Sequence, residues 1–517
     1  MKTVAQYLVD WLKSMKVEVV FGIPGVHTIE LYRALPGSGI RHVTARHEAG
    51  AGFMADGYAR VSGRFGVALV ITGPGVTNIL TPMAQARADS VPMLVISGVN
   101  ARPTLGQGLG YLHELPDQLA LTASLGPAFH LNDVKDLGKI LDKTARALTS
   151  GRGGPVHLQI PLDLMDAAVS ADTTDGATHA LPTADLARAE AILAQARAPV
   201  IIAGGGCRRA EEPLRACAEA MGAPVIQTTN ARGLMHGHPL TVPASPSLAP
   251  VRDLIRAADA VLVVGSELGP TDFDMYGTGG MPDLSEMIRI DICADQLARH
   301  PGAVTLQGRA EEVLARLSIG GNPAADGPAR AARTREAAIQ ALSPALRADV
   351  GMLEALRAAR PGALMVGDST QAIYAGNLYY DHDCPGGWFN AATGYGALGY
   401  ATGAAVGASL AAPDLPVLCL IGDGGLMFAP GELLTAVEEK LDITFIVFNN
   451  RGFGEIADAM RDAGADVLGC SPQPPEFESF ARACGLPFTR CEKRDLPSAL
   501  GAARGPRLIE VTLPPVE

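Results

Sequence analysis

The chain has 517 residues, too many for one ordinary core, which points to about three domains. Hydrophobic residues make up 48% and charged residues 19%, as in a soluble globular protein, and no apolar run reaches the roughly 20 residues of a bilayer span. The formal charge of −12 argues against a general nucleic-acid binder, which usually shows a basic face. It leaves small anionic substrates open, because the local field governs those. Eight cysteines without a CxxC pair read as free thiols in a reducing compartment, and we expect the cytoplasm.

The first element is an amphipathic helix in MKTVAQYLVDWLKSMKV. Val4, Tyr7, Leu8, Trp11, Leu12 and Met15 share one face, and Thr3 with Gln6 forms a capping box. Apolar strand-like runs then alternate with helical patterns: 67–72, 92–97, 156–160, 199–205, 260–266, 363–368, 417–423 and 443–450. Continuous β-branched runs suit parallel strands buried on both faces, so the fold class is α/β with helices flanking each sheet. Ala-, Thr- and Asp-rich stretches at 167–184 and 319–335 read as linkers. They divide the chain into domains at 1–168, 185–318 and 336–517. Gly204-Gly205-Gly206 after a strand is weak evidence for a nucleotide turn.

Chemistry concentrates in the third domain. One buried strand runs into Gly422-Asp423-Gly424-Gly425, and the next ends in Asn449-Asn450-Arg451-Gly452. Asp423 and Asn450 are 27 residues apart. Open α/β sheets bind ligands at the carboxyl ends of strands, and both segments end there. The glycines let backbone amides approach a phosphate. Asp423, Asn450 and the carbonyl of Gly452 supply three hard oxygens, as magnesium prefers. Each turn alone would be an ordinary loop; the pairing at two strand ends is what suggests a site. No zinc-spaced His/Cys cluster and no GxxxxGK[ST] loop is present, which argues against a Walker-type nucleotide site.

Near the start, Arg46-His47-Glu48-Ala49-Gly50-Ala51-Gly52 precedes a helical pattern, so Glu48 heads a helix. A carboxylate there could merely complement the helix dipole. With the later motif, however, the chain resembles the thiamine-diphosphate enzyme family of acetolactate synthase, pyruvate decarboxylase and benzoylformate decarboxylase. The resemblance runs through FGIPG (21–25), RHEAGAGFMADGYAR (46–60), ITGPGVTN (71–78), IRIDI (288–292), GYGALGYATGAA (394–405), GDGG and NNRGFG.

It implies the thiamine-diphosphate-binding fold and two cofactors, thiamine diphosphate and Mg2+. The N-terminal domain would take the pyrimidine, the C-terminal domain the diphosphate and metal, and the central domain would be Rossmann-like. It also implies a homodimer at least, with each active site shared between subunits; tetramers are common in the family. By resemblance Glu48 hydrogen-bonds the pyrimidine ring nitrogen and promotes loss of the thiazolium proton. Leu398 would wedge between the two rings, and the carbonyl of Gly396 would face the exocyclic nitrogen. Gly25, Thr72, Pro74, Asn78, Ser369, Thr370, Phe453 and Gly454 fall at cofactor-contacting positions.

Several departures bear on the substrate. The segment 265–276 lacks the arginine that synthases carry for FAD, so FAD is not expected. Val26 and His27 follow the PG turn, where relatives place Gly, Ser or Asp. His113, Glu114, Asp117 and Gln118 lie near the expected substrate end, and Glu455 and Asp458 just beyond the metal turn. His113, Glu114 and Gln118 are the catalytic candidates besides Glu48; Val26, His27, Glu455 and Asp458 are the substrate candidates. A carboxylate would pair with a guanidinium tail. The stretches GIPGVHTIELYRAL, HELPDQ and DSTQAIYAGNLYY look like the 5-guanidino-2-oxopentanoate (2-ketoarginine) decarboxylase branch. The leading expectation is therefore a non-oxidative 2-oxo acid decarboxylase releasing an aldehyde and CO2. The alternatives are an acetolactate synthase-like carboligase acting on pyruvate, a lyase of cyclic diketones, and a binding homologue without catalysis. We expect no nucleic-acid or membrane partner.

Overall fold

The computed structural model describes residues 1–169, 184–274, 280–320 and 323–516. The chain folds as two compact units. One holds the described residues before 170, Gly394–Arg490 and the segment from Ala503; the other holds the described residues from 184 to Thr393 and Cys491–Ala502.

Three six-stranded sheets carry the architecture, each flanked by helices. The first runs in the order Arg41–Thr44, Val19–Gly22, Gly66–Val70, Met93–Val99, Pro155–Pro161, Ala128–His130, with every pairing parallel. Its four interior strands are buried along their whole length, which is why they read as largely apolar runs. The second runs Thr241–Val242, Val225–Gln227, Pro199–Ala203, Ala260–Val264, Ile288–Asp291, Val304–Gln307, again all parallel. The third contains Leu364–Gly367, Trp388–Asn390, Val417–Gly422, Ile443–Asn449, Phe488–Glu492 and Arg507–Thr512. Within it, Val417–Gly422 and Arg507–Thr512 pair in parallel with the two edges of Ile443–Asn449.

The N-terminal helix is Val4–Ser14, and its capping box forms. The amide of Thr3 donates to Oε1 of Gln6 at 3.0 Å, and the amide of Gln6 to Oγ1 of Thr3 at 3.2 Å. Val4, Ala5, Leu8, Val9 and Leu12 are buried, with Tyr7, Trp11 and Met15 packed alongside. The stretch 319–335 is less of a linker than its composition suggests, because Gly327–Ala341 is helical. Pro328 stands in the first turn, where its missing amide costs nothing, and the alanines favour helix. Most of the other expected linker, 170–183, lies outside the described residues.

In the first unit the helices Glu48–Ser62 and Tyr400–Ala411 pack backbone to backbone. A Cβ on Gly57 would strike the carbonyl of Ala404, and one on Gly407 would strike the carbonyl of Met54. Only glycine permits that approach. The contact ties the helix that Glu48 begins to the segment that follows Leu398. No helix among the described residues is long and apolar enough to cross a membrane.

Candidate active site

Glu48 is the first residue of its helix, and the chain around it is held from three sides. Nδ2 of Asn78, on the helix Pro74–Ala88, donates to Oε2 of Glu48 at 2.9 Å. Nδ1 of His47 accepts from the amide of Ala49 at 3.1 Å and caps the helix. Oε1 of Glu432 accepts from the amides of Arg46 and His47, at 3.0 and 3.2 Å. Its Oε2 accepts from the hydroxyl of Thr435 at 2.8 Å. Glu432 is only 1% exposed. Burial pushes its carboxyl up, against the hydrogen bonds from Thr435, Arg46 and His47.

The loop before the Asn78 helix is fixed by Gln118. Its Oε1 accepts from Oγ1 of Thr72 at 2.8 Å and from the amide of Gly73 at 3.1 Å. Its Nε2 donates to Oγ of Ser97, the carbonyl of Gly98 and Oε1 of Gln159, at 3.2, 3.1 and 2.9 Å. Gln118 is thus turned inward, and its amide shapes the segment that contains Thr72 and Pro74. A Cβ on Gly25 would collide with the side chain of Ile71.

His27 and His113 face each other, with ring centroids 5.1 Å apart. Nδ1 of each is buried without a hydrogen-bond partner. Burial, reinforced by the nearby His113, pushes the His27 imidazole below its usual range. His113 has φ +62° and lies against Gly73, where a Cβ would stand 2.7 Å from its own Cβ. Val26 is exposed. Glu114 accepts from the amides of Gly108, Gly110 and Tyr111 at 2.8, 2.8 and 3.0 Å. Partial burial raises its carboxyl, but the amides of Tyr111, Gly110, Gly108 and Leu109 outweigh that and lower it. Asp117 caps the helix Gln118–Ala123 through the amide of Ala120.

At the ends of the third sheet's strands, Asp423 begins the short helix Asp423–Leu426 after Gly422 and is 2% exposed. Burial pushes its carboxyl up to about 6, while the amides of Gly424, Asn450, Asp423 and Gly452 oppose the rise. The carboxylate is therefore ringed by backbone donors from both predicted turns. A Cβ on Gly424 would stand 2.5 Å from the ring of Phe453, and one on Gly454 would stand 2.7 Å from Nδ2 of Asn450. A Cβ on Gly452 would collide with the carbonyl of Cys470, which accepts from the amide of Phe453 at 2.8 Å. Gly425 is buried. Asn449 is tied down by Glu510, which accepts from its Nδ2 and from Nε of Arg490, both at 2.7 Å. This donor set, one buried carboxylate beside an amide and close-packed glycine backbone, fits a divalent cation with a phosphorylated ligand. No group of three or more His, Cys, Asp or Glu that could hold a metal exists among the described residues, so a cation here would need Asn450 and a backbone oxygen.

Gly396 and Gly399 have φ of +77° and +78° and flank Leu398, which is half-buried. Glu455 and Asp458 lie on the helix Gly454–Asp462; both are exposed, and Asp458 pairs with Arg461 at 2.6 Å. In the other unit, Ser369 and Thr370 follow the strand Leu364–Gly367. The amide of Ser369 donates to Oδ1 of Asp368 at 2.8 Å, and Thr370 precedes the helix Gln371–Leu378. There too, Gly204 and Gly206 pack against Gly265, with the Gly206 amide donating to its carbonyl at 3.0 Å. Arg289 donates to the carbonyls of Ser266, Gln296 and His300. Part of the segment without the FAD arginine, 275–276, lies outside the described residues.

Sequence reasoning missed Glu432 and a buried set of polar residues around Gln85. Charged and amide side chains at spacing four inside otherwise small, apolar helices were the available signal: Asp56 with Arg60, and Gln85 with Asp89.

Three parallel sheets, a glutamate heading a helix and an amide-ringed aspartate at two strand ends define a thiamine-diphosphate-binding enzyme. The chain belongs to the thiamine pyrophosphate enzyme family: the N-terminal TPP binding domain matches residues 2–121, the central domain 186–317 and the C-terminal TPP binding domain 368–511. It is 42% identical to a probable 2-ketoarginine decarboxylase of Pseudomonas aeruginosa, over 98% of this chain and 94% of that protein. It is 30% identical to the large subunit of acetolactate synthase isozyme 1 of Escherichia coli, over 87% and 82%. An acetolactate synthase of Mycobacterium bovis is 29% identical, over 95% and 84%.

Proposed function

We propose that this enzyme is a thiamine-diphosphate- and Mg2+-dependent, non-oxidative decarboxylase of a 2-oxo acid, with 5-guanidino-2-oxopentanoate as substrate. The carrying observation for the chemistry is Glu48, a carboxylate at a helix head with Asn78 as its partner at 2.9 Å. Bound thiamine diphosphate supplies a carbon nucleophile and an electron sink. Asp423, Asn450 and the carbonyl of Gly452 would hold the cation, and the glycine backbone of both turns the diphosphate. Glu48 would exchange a proton with the pyrimidine ring.

Release of an aldehyde requires a proton delivered to the carbon that lost CO2. His113 and His27 are the donors we assign, because each keeps a buried Nδ1 free of other hydrogen bonds. A proton donor at the reacting carbon favours decarboxylation over joining a second keto acid. The choice of a guanidino substrate is supported by the 42% identity to a probable 2-ketoarginine decarboxylase. Glu455 is the carboxylate we assign to the tail, since it is exposed in the first turn of the helix that follows the metal turn.

We expect no FAD, because the segment 265–276 lacks the arginine that synthases carry for it. A cytoplasmic homodimer, or a tetramer of two such dimers, fits the exposed apolar side chains Val26, Leu109 and Leu112 near one half-site and Phe428 and Ile456 near the other. Purified protein with thiamine diphosphate and Mg2+ tests the proposal, by CO2 release and product mass. The guanidino acid should yield an aldehyde. Acetolactate from pyruvate with the guanidino acid inert would overturn it.

A further inference from the structure

Gly396 and Leu398 lie between Gly394 and Tyr400, and one buried circuit of side chains grips that loop at two points. Oε1 of Gln85 accepts from the amide of Ala397 at 3.2 Å, and Nε2 of Gln85 donates to Oδ2 of Asp89 at 2.6 Å. The same Asp89 oxygen accepts from Nη2 of Arg60 at 2.7 Å, and Nε of Arg60 donates to Oδ1 of Asp56 at 2.6 Å. That oxygen of Asp56 also accepts from the hydroxyl of Tyr400 at 2.6 Å. The path leaves the loop at Ala397 and rejoins it at Tyr400. All five side chains are buried, Asp89 the least so at 9% exposure.

The ion pairs alone would suffice to join the helices Glu48–Ser62 and Pro74–Ala88. Gln85 and Tyr400 extend the network beyond that purpose, to either side of Leu398. The loop needs such anchors. Glycines with positive φ flank Leu398, and glycine backbone is the most costly to immobilise. The start of the loop also rests on the end of the Gln85 helix, where a Cβ on Gly394 would stand 3.0 Å from Cβ of Ala88.

We propose that Gln85 and Tyr400 are positioning residues: through the Ala397 amide and the Asp56 carboxylate they hold Leu398 in the loop conformation that receives the rings of thiamine diphosphate. This assignment rests on the cofactor reading above. Gln85→Met keeps the side chain's length and removes its hydrogen bonds to Ala397 and Asp89; Tyr400→Phe removes only the hydroxyl. Arg60 is left intact, because its loss would strand two buried carboxylates.

Two measurements test the assignment. In cofactor-free protein, hydrogen exchange of the 394–400 amides should quicken about tenfold in each variant, with the strand Met93–Val99 as an unchanged internal reference. Calorimetry with Mg2+ then compares thiamine diphosphate with inorganic pyrophosphate, which has no rings to position. Thiamine diphosphate should bind about tenfold more weakly in each variant, and pyrophosphate as in wild type. Unchanged exchange in the loop, or equal weakening of both ligands, overturns the assignment. Wild-type protein that takes pyrophosphate but not thiamine diphosphate would sink the cofactor reading itself, and the assignment with it. Should Gln85→Met fail to fold, Tyr400→Phe carries both measurements.

Discussion

A methyl group placed on Gly50 would collide with Oε1 of Glu432, the oxygen that accepts from the amides of Arg46 and His47. Glu432 therefore sets where the helix of Glu48 begins. Gly50→Ala should destabilise the protein by about 1–3 kcal/mol, since a packed core resists overfilling. Thermal or urea unfolding checks this. Glu432→Gln keeps the volume but offers one acceptor oxygen where three donors now converge. It should slow exchange of the cofactor's thiazolium proton about tenfold. An unchanged exchange rate would make Glu432 a space filler.

Glu48→Gln keeps the helix start and the contact with Asn78. It should leave unfolding and cofactor affinity near wild type and lower kcat by about two to four orders of magnitude. Steady-state kinetics beside calorimetry separate the two effects, and full activity would remove Glu48 from the proton path.

Asp423 is pushed up to about 6 by burial in the cofactor-free protein. A cation needs the ionised form, so a proton competes with it. Mg2+ affinity should be level above that value and fall by up to about tenfold per pH unit below it. Titrations at pH 5 and 7.5 read the slope. Asp423→Ala should bind Mg2+ weakly at both.

His157 is fully buried between Oγ of Ser97 and Oγ1 of Thr122, both at 2.8 Å, and burial pushes it down to about 3. Its ordinary value is 6.5, so the unfolded chain takes a proton that the folded one refuses. The folded state keeps its full stability above pH 6.5 and loses it as pH falls from there toward 3. The slope from this one residue approaches about 1.4 kcal/mol per pH unit. Urea unfolding at pH 7.5 and 5 should show that loss, and His157→Gln should flatten it.

Glu455→Gln should impair turnover of a guanidino acid more than of pyruvate, by about tenfold in kcat/KM. An equal loss on both would detach Glu455 from tail recognition.

The long buried strands were legible because most satisfy one local rule, a largely apolar run of five to seven residues. The capping box of Thr3 and Gln6 was legible for the same reason, and both its bonds form. The glycine and acidic turns at 422–425 and 449–452 stood out because their residue types are rare together at strand ends. Glu432 and Gln85 did not, because their partners are hundreds of residues away: Glu432 holds Arg46, and Gln85 holds Ala397. Spacing along the chain carries no trace of such pairs. The stretch 319–335 misled because Ala-, Gly- and Pro-rich composition suits both a linker and a helix that opens on proline.

The glycine seam between Glu48–Ser62 and Tyr400–Ala411 has a consequence for recombination. Exchanging the segment before residue 100 with that of a related protein transplants one face of a joint that has no slack. A relative with alanine at the place of Gly57 or Gly407 would bring a methyl group where a carbonyl already stands. Hybrids of this kind should work when both parents keep glycine at these two places, or when both faces come from one parent. The two segments, though more than three hundred residues apart, behave in such an exchange as a single part.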